Sequence, residues 1–330
     1  MANIDRRLSM AFAIIALGLS GTPAARAQQQ AQGFALERFT PAAPGAGWFV
    51  MDDLTLHGGL GGAISLSLGY SHNPLSLTLP GGAQSLAVVQ HETSASIAMA
   101  VTYDRFRLHA IFTSPVYVAG QGGAVGDWQF TSPKANLEQT PDTISDVQLG
   151  LDARLYGEPD GPVRLGGGAQ LIVPSGARAD YLTDGTYRAA GRFLFAGDLG
   201  QFSYAGHAGV HLRPLDDSPV PGSPRGSELL FGLAGGAKLT LLGGSFLLGP
   251  ELFGATALRS FFGGETTALE ALLAARFEQA TSAAGAVRIK LGFGAGLHPR
   301  FGAPEWRAIV AIELVGQLQA SRDGGTAANR

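Results

Sequence analysis

The residue types that most often carry protein chemistry are sparse in this chain. Its 330 residues contain seven histidines and no cysteine. Without cysteine, disulfides, thiolate metal sites, iron-sulfur clusters and Cys nucleophiles are all excluded. His207 and His211 share one face of an alternating segment, but four strand residues at ~3.3 Å each hold them ~13 Å apart. That is too far for one metal bound at ~2 Å. His91 lies close in sequence to Ser94 and Ser96, yet in the opposite phase of the alternation, so no Ser-His dyad follows. The run Gly120-Gln121-Gly122-Gly123 lacks the Lys-Ser/Thr that a phosphate loop needs. No nucleophile, base and orienting group can be assembled, so the sequence predicts no catalytic residue, no metal site, no cofactor and no enzymatic activity.

What remains is charge, and it is placed in phase. From Asp146 to Leu155 the polar set Asp146, Gln148, Gly150, Asp152 and Arg154 alternates with Val147, Leu149, Leu151, Ala153 and Leu155. From Gln201 to Arg213 the pattern repeats, with His207, His211 and Arg213 opposite Phe202, Ala208, Val210 and Leu212. A period of two belongs to strands with one oily and one polar face. Carried along the chain, the polar phase collects Glu92, Arg107, His109, Asp146, Asp152, Arg154, Arg164, Arg188, Arg192, His207, His211, Arg213, Glu228, Lys238, Glu251, Glu270, Arg276, Arg288, Lys290, Arg307 and Glu313. Arg or Lys on a lipid face costs ~2–4 kcal/mol at mid-membrane, which accounts for their exclusion from the other phase. These residues are the expected lining of a lumen, either paired across a closed interior or bordering a wet pore.

Composition agrees that this is no ordinary cytosolic domain. Forty-eight residues are glycine and only 15% are charged, against roughly 7% Gly and 25% charged in average proteins. Arg6 and Arg7, the apolar run Leu8–Leu19 and Ala25-Arg26-Ala27 read as a secretory signal peptide over 1–27. Its removal takes three arginines and one aspartate, leaving 20 basic and 25 acidic residues, a net charge of −5. No basic field for nucleic acid is present. Leu239 to Leu258 imitates a membrane helix in hydropathy but contains four glycines, Pro250 and Glu251. An exported chain of this kind is either soluble in the periplasm or outside, or crosses the outer membrane as a closed β-barrel.

The alternation resolves into twelve segments: 53–70, 85–102, 106–118, 143–156, 162–173, 186–197, 201–213, 227–240, 245–258, 266–277, 286–297 and 306–316. Strands of this length suit a tilted crossing of the outer membrane. The odd-numbered connections 71–84, 119–142, 174–185, 214–226, 259–265 and 298–305 have 14, 24, 12, 13, 7 and 8 residues, and the even-numbered 103–105, 157–161, 198–200, 241–244 and 278–285 have 3, 5, 3, 4 and 8. This sorting predicts an all-β, antiparallel up-and-down barrel with long extracellular loops, short periplasmic turns and both termini periplasmic. Tyr70, Tyr117, Tyr187 and Trp306 fall near the outer rim, and Tyr103, Phe106, Tyr156 and Phe202 near the inner one, as aromatic girdles do.

Two segments stand outside the pattern. Residues 28–52 carry Pro41, Pro44 and the rings of Phe34, Phe39, Trp48 and Phe49, and are expected to enter or cap the barrel from the periplasmic side as a plug, or to be a flexible leader. The polar stretch 317–330 is expected to be a disordered tail.

The stretches Gln32-Gly33-Phe34-Ala35-Leu36-Glu37-Arg38-Phe39, Gly47-Trp48-Phe49 and Phe301-Gly302-Ala303-Pro304-Glu305-Trp306-Arg307-Ala308 resemble the barrel portion of certain large OmpA-family outer-membrane proteins over roughly 32–316. That resemblance implies location and architecture. The calcium-binding repeats and peptidoglycan-binding domain that often follow in the family have no counterpart here, so neither property is carried over. The expected function is a passive, porin-like channel or uptake pore for small solutes in the outer membrane, with lipid as partner and oligomeric state left open. A closed barrel with a structural or surface-display role and a secreted soluble β-protein are the alternatives.

Overall fold

The computed structural model describes residues 29–78, 85–136, 143–214, 226–264, 266–282, 285–298 and 302–318. The signal-peptide expectation over 1–27 lies outside them, as does all of the expected tail beyond Leu318. Fifteen strands are formed: β1 (Gln29–Gln30), β2 (Leu60–Thr78), β3 (Ser85–Tyr103), β4 (Phe106–Ala119), β5 (Gly123–Val125), β6 (Trp128–Phe130), β7 (Val147–Tyr156), β8 (Arg164–Val173), β9 (Arg188–Leu199), β10 (Phe202–Leu212), β11 (Glu228–Leu241), β12 (Gly244–Ala257), β13 (Thr267–Ser282), β14 (Gly285–His298) and β15 (Trp306–Leu318). All but β1, β5 and β6 make one closed antiparallel barrel, in which each strand pairs with its neighbour in sequence and β15 returns to β2. Closure leaves no open sheet edge, the condition for crossing lipid with strands.

The alternation is visible in burial. In β15, Ile312 is 50% and Leu314 58% exposed on the outside, while Ala311 and Glu313 between them are buried. Ile64, Leu66 and Leu68 of β2 and Ile97, Met99 and Val101 of β3 continue this outward apolar band. An exposed belt of this size is a lipid contact surface and not the skin of a soluble protein.

Loop lengths sort as the pattern requires. On one rim Asp104-Arg105, Gly200-Gln201, Leu242-Gly243 and the segment 157–163 connect the strands, and β13 and β14 pair as far as Ser282 and Gly285. Leu242 (φ 51°) and Gly243 (φ 74°) both take the left-handed backbone that matches a two-residue hairpin to strand twist. Most of the segment 278–285, expected as a connection, is strand, because β13 runs on to Ser282 and β14 starts at Gly285. On the other rim β5 and β6 form a small sheet with β1 inside the 120–146 connection.

Two expectations change. The first barrel strand begins at Leu60 and not at residue 53, because 53–59 run inside the barrel and turn at Gly59 (φ 89°). Residues 317–318 extend β15, where they pair with Gly61 and Leu60. The second change concerns direction. Gln29 and Gln30 pair with Trp128 and Gln129 on the long-loop rim, whereas β2 starts on the short-turn rim opposite Tyr103. Residues 31–59 therefore traverse the whole lumen, entering from the rim opposite to the one expected. Counting barrel strands places the end of β15 correctly but misses this extra internal crossing.

Candidate functional site: an occupied lumen

The inward glycines explain how a chain segment fits inside a twelve-stranded barrel. A Cβ on Gly236 would lie 2.9 Å from the Trp48 ring, one on Gly292 2.9 Å from Phe49, and one on Gly166 3.0 Å from Leu54, while Gly232 is in contact with Met51. These absent side chains are sockets, and the plug's apolar residues fill them. Trp48, Phe49, Val50 and Met51 form one buried cluster with Leu247, Phe253 and Leu272 of the wall. Gly235-Gly236 lie opposite Gly249-Pro250, where the β11–β12 pairing is interrupted. Pro250 has no N–H to give a ladder there, and the Trp48 indole lies against that gap.

Polar anchors hold the segment at three levels. At the long-loop rim the backbone N–H of Ala35 donates to Asp184 Oδ1 (2.8 Å), which also receives Arg213 Nη2 (2.7 Å). Arg213 reaches Glu228 (2.8 Å), which pairs with Arg38 (3.0 Å) and lies 3.3 Å from His211. Asp146 pairs with Arg188 (2.6 Å), and Arg307 is held between Glu37 (2.8 Å) and Glu270 (3.1 Å). Asp184 is in the 174–187 loop, outside the strands. Burial by itself would raise its carboxyl, but Arg213, with Arg188 and the Ala35 N–H, outweighs it and draws the pKa down to about 2.

At mid-height the two oxygens of Glu251, fully buried, accept the backbone N–H groups of Phe49 (2.7 Å), Val50 (2.8 Å) and Met51 (3.1 Å). Lys290 pairs with Glu313 (2.9 Å) and donates to the Trp48 carbonyl (3.2 Å). Towards the short-turn rim, Arg107 is clamped between Asp52 and Asp152, the latter at 3.0 Å and also 3.3 Å from His109. Arg164 donates to the Asp53 carbonyl (2.7 Å), Arg276 faces the Asp53 carboxylate (3.8 Å), Arg154 reaches the Leu56 carbonyl (2.9 Å), and Arg288 joins the Gly45 carbonyl to Glu278. Arg192 and His207 face inward with no carboxylate within ion-pair distance among the described residues.

The charges of the polar phase are thus interior, most of them in pairs. Pattern reading missed their partners Glu37, Arg38, Asp52, Asp53 and Asp184. Glu37, Arg38 and Asp52 lie in the leader and Asp184 in a loop, where no alternation marks a facing, and Asp53 opens the stretch 53–59, expected as strand but not one. The only signal was the Asp52-Asp53 doublet beside a ring-rich stretch. Among the described residues no group of His, Asp and Glu could hold a metal ion. His91 lies with Tyr70 (2.7 Å to its hydroxyl), His72 and Trp306 in a ring cluster, away from Ser94 and Ser96.

The plug does not fill the lumen. A cavity of ≈ 110 Å³ opens between residues 35–41 and the β2–β4 and β7 wall, and a smaller one of ≈ 30 Å³ lies beneath it. They share Pro41, Ser67, Ser96 and Ile309. Small hydroxyl residues line this side: Ser67, Ser94, Ser96 and Thr113 above, Ser65 below. Below the lower cavity the turn at 43–46 meets the wall, with Gly45 beside Ala63.

No family model matches the chain, and none of the curated protein sequences does; the OmpA-family resemblance therefore rests on its short motifs alone. Among solved structures the fold is similar to an outer membrane channel from Pseudomonas putida F1, with TM-score 0.52 and 14% identity over 78% of this chain and 96% of that one. The NanC porin gives TM-score 0.47 and 8% identity over 77% and 100%. A Pseudomonas aeruginosa FadL homologue gives 0.38 and 8% over 87% and 98%. At such identities the likeness is one of fold, the closed outer-membrane-type barrel.

Proposed function

We propose that the protein is an outer-membrane channel for small solutes whose bore is narrowed to a side path by its own N-terminal segment. The observation that carries this reading is the pair of adjoining cavities on the hydroxyl-lined β2–β4 side, where small wall residues leave room that the plug does not take. A solute enters from the extracellular rim, descends past Ser67 and Ser96, and leaves when the 43–46 turn moves off Ala63. Polar solutes suit such a wall, since its hydroxyl groups replace water hydrogen bonds.

Planar-bilayer recording tests it. The purified protein is expected to give discrete small currents, and a variant lacking residues 29–51 currents several-fold larger, with folding checked by heat-modifiable gel mobility. Equal conductance in both would refute the plug. Silence in both would favour the second reading, a closed barrel with a structural or surface role, for which the many plug-to-wall ion pairs speak.

A further inference from the structure

Three carboxyl groups, Glu37, Glu92 and Asp146, and three arginines, Arg38, Arg188 and Arg307, line the upper cavity, and among the described residues one of the six has no partner. Glu92, inward on β3, is buried at 9% exposure and lines the cavity. Among the described residues it has no hydrogen-bonded or ion-paired partner, unlike every arginine around it. Arg307 is taken by Glu37 and Glu270, Arg38 by Glu228, and Arg188 by Asp146. The carboxyl group left over is Glu92. Ionising a buried carboxyl group costs free energy that a cation reaching it can offset.

The surroundings specify more than charge. Ser94, Ser96 and Thr113 place hydroxyl oxygens on the same wall, with Ser96 and Thr113 2.9 Å apart; these can accept N–H hydrogens or bond a ligand hydroxyl. Facing them, Phe39, Ile172, Leu230 and Ile309 supply apolar surface for carbon atoms. Arg38, Arg188 and Arg307 line the same space, but each is already paired with a carboxylate, so none is left over for an anion.

We infer that this cavity is a binding site for a small organic cation bearing an ammonium group, with Glu92 as its counter-ion and the β3–β4 hydroxyls as its polar contacts. The inference deepens the channel reading, since it names the class of solute the path selects, and it rests on that reading for its physiological sense. Its test does not need conduction. The full chain in detergent is titrated by calorimetry with ethanolamine hydrochloride, ethylene glycol and sodium glycolate, three two-carbon hydroxy compounds of similar size that differ in charge. Ethanolamine is expected to bind about tenfold or more tightly than the other two, the scale of one charge-assisted hydrogen bond. Glu92→Gln is expected to abolish that preference, and Glu92→Asp to retain it. Glycolate binding as well as ethanolamine, or unchanged ethanolamine affinity in folded Glu92→Gln, overturns the site; the wild-type ranking decides alone if that variant does not fold. Bilayer silence with binding intact would remove the channel and leave the site standing.

Discussion

Glu251 is the point at which the plug can be loosened with the least disturbance to the barrel. Its carboxylate takes three successive backbone N–H groups, from Phe49, Val50 and Met51, in a site without exposure to solvent. Glutamine has nearly the same shape but one acceptor oxygen, so Glu251→Gln turns an NH2 group towards at least one of these donors. Each buried N–H left without an acceptor costs ~1–3 kcal/mol, and the remaining bonds lose their charge assistance. Together these come to about 2–4 kcal/mol against the seated plug, or about 30- to 700-fold in its opening equilibrium. Hydrogen–deuterium exchange in detergent measures this directly. Amides of residues 45–56 should exchange faster by that factor, while the β2–β3 ladder, paired from Leu60–Tyr103 to Thr78–Ser85, should not change. Acceleration below about threefold would show that Glu251 is not the seat of the segment. Equal acceleration in β2–β3 would mean that the variant weakened the barrel and not the plug.

Further outcomes follow from the same anchors. A Cβ on Gly45 would lie 3.4 Å from that of Ala63, close to the ~3.8 Å of a disulfide, and the chain has no other cysteine. The double variant G45C/A63C, despite ~1–2 kcal/mol of strain from the left-handed backbone at Gly45, should conduct less when oxidised than after reduction. Equal currents in both states would rule out the 43–46 turn as the gate. The rim clamp is acid-sensitive through Asp184. Its pKa is lowered to about 2 in the fold, so its contribution is complete above the ordinary carboxylate value near 4 and is lost as pH falls towards 2. Protection of the Ala35 and Leu36 amides, relative to their intrinsic exchange rates at each pH, should therefore fall over that window, and Asp184→Asn should show the lower protection already at pH 7. Unchanged protection between pH 4 and 2 would disconnect Asp184 from the anchoring of the plug.

Strand count, closure, loop sorting and the inward facing of residues such as Arg107, Glu251 and Arg307 were legible in the sequence, because lipid enforces a strict period of two on every strand it touches. A single Arg or Lys out of phase costs ~2–4 kcal/mol, a large fraction of the ~5–15 kcal/mol that holds a domain folded, so phase is a reliable ruler. No such ruler exists inside the lumen. Residues 33–56 are buried or half-buried among protein groups and follow neither period, so their path was decided by sockets and partners far away in sequence: Met51 against Gly232, Trp48 against Gly236, Asp52 against Arg107, and Ala35 against Asp184. The glycines on the inner face could be read as room, but what occupies that room could not. The sequence by itself determined a membrane barrel and the side on which its charges lie. Only the tertiary structure decided that the chain threads its own lumen from the long-loop rim, because that choice depends on contacts between groups that no local pattern connects.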